Sequence, residues 1–215
     1  MAGDRVTQPE SQFLIRSFQP GDEEAVYAVC LKTGDAGKDA SHLYSDPRAL
    51  GHLFVGPYMR LAPELAFVLV DSSGICGYAL GVLDSKKFYA ACSNGWLPEI
   101  RRHYPEPSGD SSLWTATQKI YYQYYHPETY FPEAFKSYPS HAHIDLLPRA
   151  QGQGNGTRMM NVLLESLRIG ASPGVHLAMA ASNRRAERFY KKLGFVELAR
   201  VSDSDPPTVY LGRHL

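Results

Sequence analysis

The stretch from Ile144 to Ile169 constrains this chain more than any other, because it reads as a strand, a glycine loop and a helix in immediate succession. His141-Ala142-His143-Ile144-Asp145-Leu146-Leu147 is the strand, and Pro148 ends it. Met160, Leu163, Leu164 and Leu167 then recur at the i, i+3, i+4, i+7 spacing of one helix face. Between them, Gln151-Gly152-Gln153-Gly154-Asn155-Gly156 places glycine at alternate positions. Glycine admits close backbone approach, and the first-turn N–H groups of a helix have no partner within it. A strand-to-helix turn of this kind therefore offers a site for a pyrophosphate. A glycine turn with no ligand is the plainer alternative.

The spacing excludes two common phosphate loops. Gly156 is followed by Thr157-Arg158 rather than the Lys-Ser/Thr of a P-loop. The third glycine also comes too early for the dinucleotide fingerprint G-x-G-x-x-G. A second segment, Asn183-Arg184-Arg185-Ala186-Glu187-Arg188-Phe189-Tyr190-Lys191-Lys192-Leu193-Gly194-Phe195, is a short helix with its own punctuation. Ser182 or Asn183 can cap its start. Ala186, Phe189, Tyr190 and Leu193 make one face. Lys191 and Lys192 meet the negative end of the dipole, and Gly194 suits a left-handed stop.

Gln151, Gly154 and Gly156 fit Gln/Arg-x-x-Gly-x-Gly/Ala, the acetyl-CoA loop of the GNAT N-acetyltransferases, and the chain resembles that superfamily. The second segment is similar to its Asn-x-x-Ala-x-x-Phe-Tyr-x-x-x-Gly-Phe motif, in the expected order and some 30 residues further on. Asp71-Ser72-Ser73-Gly74-Ile75-Cys76-Gly77-Tyr78-Ala79-Leu80-Gly81, Trp96-Leu97-Pro98 and Val209-Tyr210-Leu211-Gly212-Arg213 narrow the likeness. They resemble the C-terminal acetyltransferase-like domain of the animal O-GlcNAcases and its stand-alone relatives, from about Phe13 onward. These 215 residues are expected to hold no glycosidase catalytic domain. In that group the cofactor loop can be defective; the glycines present here argue for retained binding.

The resemblance implies an α/β GNAT fold. Its mixed, mostly antiparallel sheet of about six or seven strands has splayed fourth and fifth strands and helices on both faces. It implies acetyl-CoA as cofactor and transfer of acetyl to a primary amine by direct attack. Backbone groups of Leu146 and Leu147 are expected along the pantetheine and thioester. N–H groups of Gln151, Gly152, Gln153, Gly154, Asn155, Gly156 and Thr157 are expected on the pyrophosphate, and Asn183 on the pantetheine arm. Arg184, Arg185 and Arg188 are either an exposed helix face or neighbours of the CoA phosphates.

For the general base the choice is Asp145, on the central strand beside the thioester position. Strand alternation puts it on the face of His143 and His141. His143 is the substitute base. Each has a structural alternative, Asp145 bonding a neighbouring element and His143 as a satisfied core histidine. His141-x-His143 lacks a third ligand at metal-site spacing, so no metal is assigned. For the acid the choice is Tyr190, also a cofactor contact, whose phenol can donate to the departing thiolate; a packed core aromatic is its alternative. A catalytically degenerate, acetyl-CoA-binding scaffold is the competing function.

With 215 residues the simplest organisation is a tail over 1–11 and one domain over 12–215. Lys+Arg 22 against Asp+Glu 22 gives no net charge and no general nucleic-acid surface. Three cysteines without a Cys-x-x-Cys pair suit a reducing compartment. With neither a targeting core nor a membrane-length apolar run, the expectation is an intracellular, soluble, cytoplasmic protein. Asp22 is expected to cap a first helix with Val26, Val29 and Cys30 inward. A second helix over 46–61, bent at Gly56-Pro57, should bury Leu50, Leu53, Phe54 and Met59. Two strands flanking Asp71-Ser72-Ser73-Gly74 make a hairpin, in which Gly77 and Gly81 mark a bulge or a close approach.

Residues 84–140 form an insertion of 57 residues between the third and fourth strands. It is rich in aromatics and helical in pieces, over 88–92, 97–104, 113–125 and 132–137. It reads either as a wall over the acceptor side or as packing and a homodimer surface. The acceptor, a small amine or a protein lysine, is left open.

Overall fold

A computed structural model describes residues 12–204 and 206–215, so the expected tail over 1–11 lies outside the described residues. The chain opens with β1 (Leu14–Ser17), α1 (Glu23–Leu31), α2 (Ala49–Phe54), α3 (Gly56–Leu61), β2 (Ala66–Asp71) and β3 (Gly74–Val82). The insertion supplies α4 (Ser85–Ala91), α5 (Leu97–Arg101) and α6 (Ala116–Tyr125). Then follow β4 (Ser140–Leu146), α7 (Asn155–Ile169), β5 (Gly174–Ala180), α8 (Arg184–Lys192), β6 (Val196–Val201) and β7 (Thr208–His214). The seven strands form one sheet in the order β1-β2-β3-β4-β5-β7-β6.

Every pairing is antiparallel except β4 with β5. That parallel ladder is limited to Ser140 opposite Val175 and His141 opposite His176. Beyond His141 the strands separate, β4 continuing on β3 and β5 on β7. The splay expected from the resemblance is thus present, and it leaves one edge of each strand unpaired inside a sheet. Such edges are hydrogen-bonding surfaces waiting for a ligand.

Local chemistry explains the elements that shape this opening. The β2–β3 turn closes through the Asp71 carboxylate, which accepts the Ser73 N–H at 2.8 Å, with Gly74 at φ +103°. Leu69 pairs with Gly77 and Val70 with Ile75, so Cys76 is the extra residue of a bulge. Its carbonyl instead accepts the Leu147 N–H at 2.8 Å, which pins the end of β4 to β3. Gly81 is a close approach: a Cβ there would stand 2.7 Å from Leu163 Cδ1. Met159, Met160, Leu163, Leu164 and Leu167 of α7 are all buried against that face of the sheet. Each contributes roughly 1.5–3 kcal/mol relative to exposure. α1 and α3 pack on β3 from the opposite face.

Two expectations are corrected. Asp22 precedes α1, but its carboxylate does not cap that helix. It takes the Arg16 guanidinium through both oxygens, at 2.6 and 2.8 Å, and the Gln19 N–H at 2.8 Å, because a nearby cation out-competes a first-turn amide. Phe54 is 40% exposed, whereas Leu50 and Met59 are buried. The bend expected at Gly56-Pro57 splits the segment into α2 and α3, and the break turns Phe54 outward. A Cβ on Gly56 would lie 2.3 Å from the Tyr27 hydroxyl and 2.6 Å from Trp96, so the insertion packs directly on the break.

The insertion is bolted down by its aromatics. The Tyr124 hydroxyl donates to the Ala49 carbonyl at 2.7 Å, the Tyr121 hydroxyl to Asp46 at 2.9 Å, and Trp96 Nε1 to the His52 carbonyl at 2.8 Å. α4 and α6 carry their own caps. Asp84 accepts the Lys87 N–H, and Thr115 with Gln118 forms a reciprocal box at the start of α6. Among the described residues, no helix is long and apolar enough to cross a membrane.

Candidate active site

The open end of the β4/β5 split is bordered by the glycine loop on one side and by the start of α8 on the other. Gly152 and Gly154 have φ +79° and +76°, the left-handed region where glycine is favoured, and a Cβ at either would meet nothing within 4 Å. Gly154 is the residue before α7 and offers no side-chain cap. The first α7 hydrogen bond to it comes from the Arg158 N–H. Among the described residues, no backbone acceptor takes the N–H groups of Gly152 to Thr157. These groups, clustered at the positive end of a 15-residue helix, suit an anion.

The other expected cofactor residues divide. The Gln151 N–H is engaged with the Pro148 carbonyl, while its side-chain Nε2 donates to the Leu146 carbonyl at 2.6 Å. That carbonyl therefore faces the split, whereas the Leu147 N–H belongs to the β3 side. Asn155 is buried and structural in its side chain, donating to Ala150 and accepting from Arg158. Asn183 caps α8, its Oδ1 accepting the Ala186 N–H at 3.0 Å. Its Nδ2 faces Gly37 of the α1–α2 connection. Gly156 is small because a Cβ would press on the Phe189 ring at 3.1 Å, which seats α8 on the loop. Of the three α8 arginines, Arg185 reaches across to Gln151 Oε1 and Arg184 pairs with Glu187. Arg188 is exposed.

On the α1 face of the sheet, register brings together a cluster that strand alternation foretold only in part. Tyr78 lies opposite Asp145 in the β3–β4 ladder. Its hydroxyl donates to Asp145 Oδ2 at 2.6 Å, and His143 Nε2 lies 3.1 Å from the same oxygen. His143 Nδ1 donates to the Phe54 carbonyl at 3.1 Å. Burial opposes a charge on His143, but the Asp145 hydrogen bond and charge, with the Phe54 carbonyl, outweigh it and hold the imidazole above its ordinary pKa. Both donors act on Oδ2, so Asp145 keeps Oδ1 for another partner. Tyr78 and the Phe54 carbonyl are the members sequence reasoning missed; no local pattern marks them, since both depend on tertiary register.

His141 faces the same side but is fully spent. Its Nδ1 meets Ser85 Oγ at 2.8 Å and its Nε2 the Tyr58 hydroxyl at 2.7 Å. Burial pushes its pKa well down, keeping it neutral. Tyr190 is 7% exposed, its ring packed on Phe189 and Phe195. Burial, then the Asp145 charge, pushes its phenol far above the ordinary value, so it stays protonated at neutral pH. The Asp145 effect also puts the two side chains within electrostatic reach of each other.

A strand split with free edges, a helix N-terminus at its mouth and a half-buried carboxylate beside it define an acetyltransferase architecture, and comparison with known proteins agrees. The family model for the acetyltransferase (GNAT) domain matches residues 114–197, which cover β4, the glycine loop, α7, β5 and α8. The crystal structure of SsHAT is 38% identical, covering 94% of this chain and 98% of that one at a TM-score of 0.85. The chain belongs to the GNAT acetyltransferase family. It is also 33% identical over 98% of its length to protein O-GlcNAcase of Rattus norvegicus, and equally to that of Mus musculus. It spans 23% of the length of those relatives. At 15% identity and a TM-score of 0.53, yncA of Salmonella typhimurium, whose structure includes its cofactor acetyl-CoA, shares the fold.

Proposed function

We propose that the protein is an acetyl-CoA-dependent N-acetyltransferase that delivers acetyl directly to a primary amine. The observation that carries this reading is the run of unengaged N–H groups from Gly152 to Thr157 at the mouth of the β4/β5 split. The cofactor of yncA extends the reading to acetyl-CoA.

In this reading the amides of Gly152 to Thr157 hold the pyrophosphate, while the Gln151 amide already turns to Pro148. The Leu146 carbonyl and Asn183 meet the pantetheine, with Gln151 yielding Leu146 as it enters. Leu147 serves as the anchor of the β4 end. Acetyl-CoA supplies an activated acyl group as its thioester. Asp145 Oδ1 takes the proton of the incoming amine, directly or through a water, while Tyr78 and His143 fix the carboxylate through Oδ2. His143 stays the electrostatic partner of Asp145, because both ring nitrogens are already engaged. The Tyr190 phenol donates its proton to the thiolate as it leaves. The reading treats 12–215 as one domain, supported by a core running from Phe13 to Leu211.

Calorimetry of acetyl-CoA with wild type and Gly154→Trp tests the carrying observation. A side chain at φ +76° costs roughly 1–2 kcal/mol, and the open space around Gly154 spares the fold. Wild-type binding that the variant loses is expected. No binding to folded wild type would sink the proposal and leave the scaffold reading.

A further inference from the structure

A cavity of about 180 Å³ lies on the α1 face, between the α2–α3 break and the insertion, with His143 in its wall. Pro57, Tyr58, Phe88, Cys92 and Leu97 line it, with the Tyr58 and Phe88 rings packed on each other at 4.7 Å, and the exposed segment 127–129 adds the rim. Four of these, Tyr58, Phe88, Cys92 and Leu97, are under 9% exposed. The volume slightly exceeds the ~150 Å³ of a dry engineered cavity that takes up one benzene. The walls thus suit one ring or a short alkyl chain.

Charge narrows the class further. Among the described residues, Glu128 is the carboxylate lining this cavity, and neither Lys nor Arg lines it. A guest with its own carboxylate would find no cation to receive it and would face Glu128. Burying a full charge without a partner is strongly unfavourable. At the inner end, His143 is paired to Asp145, so that wall presents a neutralised couple rather than a bare cation. An ammonium group is therefore tolerated at both ends.

We propose that this cavity is the acceptor site and that it takes a small primary monoamine with a compact apolar body, one aromatic ring or a short alkyl chain. The body fills the pocket against the packed Tyr58 and Phe88 rings, Glu128 draws the ammonium to the rim, and the nitrogen ends beside the His143–Asp145 pair. The insertion then makes the wall of the acceptor site as well as packing on α2. This assignment rests on the acetyl-transfer reading for the fate of the amine but not for its binding.

The test is saturation-transfer NMR with 2-phenylethylamine on the full chain without acetyl-CoA, run beside calorimetry of acetyl-CoA. Binding of 2-phenylethylamine is expected, with phenylalanine at least about tenfold weaker because its carboxylate is unpaired there. Ser93→Phe, which fills the cavity from its own lining, should abolish the signal. Thr129→Phe, on the exposed rim, gives the same readout if the first variant fails to fold. Equal binding of phenylalanine, no binding to wild type, or unchanged binding to both variants would overturn the assignment. So would acetylation of a lysine-containing peptide that neither variant slows. Acetyl-CoA binding is read separately, so loss of the cofactor site and loss of this acceptor site are distinguishable.

Discussion

Asp145→Asn separates the roles of the carboxylate through an observable that needs no turnover. Asp145 Oδ2 lies 3.1 Å from His143 Nε2, and both side chains are about three-quarters buried, at 26% and 29% exposure. A hydrogen bond within a charged pair contributes about 1.5–3 kcal/mol, and about 1.4 kcal/mol corresponds to one pKa unit. The amide that replaces the carboxylate can still accept from Tyr78 and His143, so the lower end applies. The His143 midpoint should fall below its wild-type position, because burial then acts with little opposition. Titration of the His143 ring by NMR reads this directly.

Stability follows with a definite sign. In wild type the raised folded pKa contributes stability that is fully present below the unfolded value, about 6.5, and lost as pH rises through the folded value. In Asp145→Asn that loss should vanish or reverse across the same window in urea unfolding. If Asp145 is also the base, kcat/KM falls by about 10²–10⁴. An unchanged or raised His143 midpoint in the variant would refute the reasoning, and would assign the raised pKa to the Phe54 carbonyl instead.

Other perturbations test independent parts of the structure. Tyr190→Phe removes a hydroxyl with no hydrogen-bond partner among the described residues, so stability should change by less than about 0.5 kcal/mol. Turnover should drop by about 10²-fold or more, a split that a merely packed tyrosine would not produce. Gly51→Ala reverses a usual trend. Alanine ordinarily favours a helix over glycine by about 1 kcal/mol, but here its Cβ would stand 2.3 Å from the Tyr27 ring. Tyr27 is 2% exposed and bonded to His52, so the ring cannot step aside. A loss of about 1–3 kcal/mol is expected, lowering Tm by roughly 2–4 °C for each kcal/mol. A gain in Tm would show the α1–α2 contact to be looser than described. Arg149→Ala removes the guanidinium that holds the Asp71 carboxyl below its usual range, and acid unfolding monitored at the β2–β3 turn should move to slightly higher pH.

Several features were legible in the chain itself because their causes lie within a few residues. The glycine spacing 152, 154, 156 marks a strand-to-helix turn open to close backbone approach; the left-handed φ of Gly152 and Gly154 is what the structure adds. The Asn183 cap and the Gly194 stop, at φ +81°, punctuate α8 by the same local logic. Alternation along 141–145 was enough to set Asp145, His143 and His141 on one face. It could not rank them. His141 is consumed by Ser85 and Tyr58, which come from 56 and 83 residues away in sequence.

The remainder waited on tertiary structure, for two physical reasons. Strand register is set by the whole sheet, and a shift of one residue would send every side chain of β4 to the other face. Only the observed pairing of Tyr78 with Asp145 builds the carboxylate cluster. The insertion has no periodic link to the sheet, so its placement depends on long-range partners such as Tyr124 with Ala49 and Trp96 with His52. The sequence by itself determined the local turns, caps and apolar stripes, whose energies are short-ranged. The tertiary structure alone decided the extent of the β4/β5 split, the partners of each histidine and the walls of the cavity, because each of these joins groups that the chain keeps far apart.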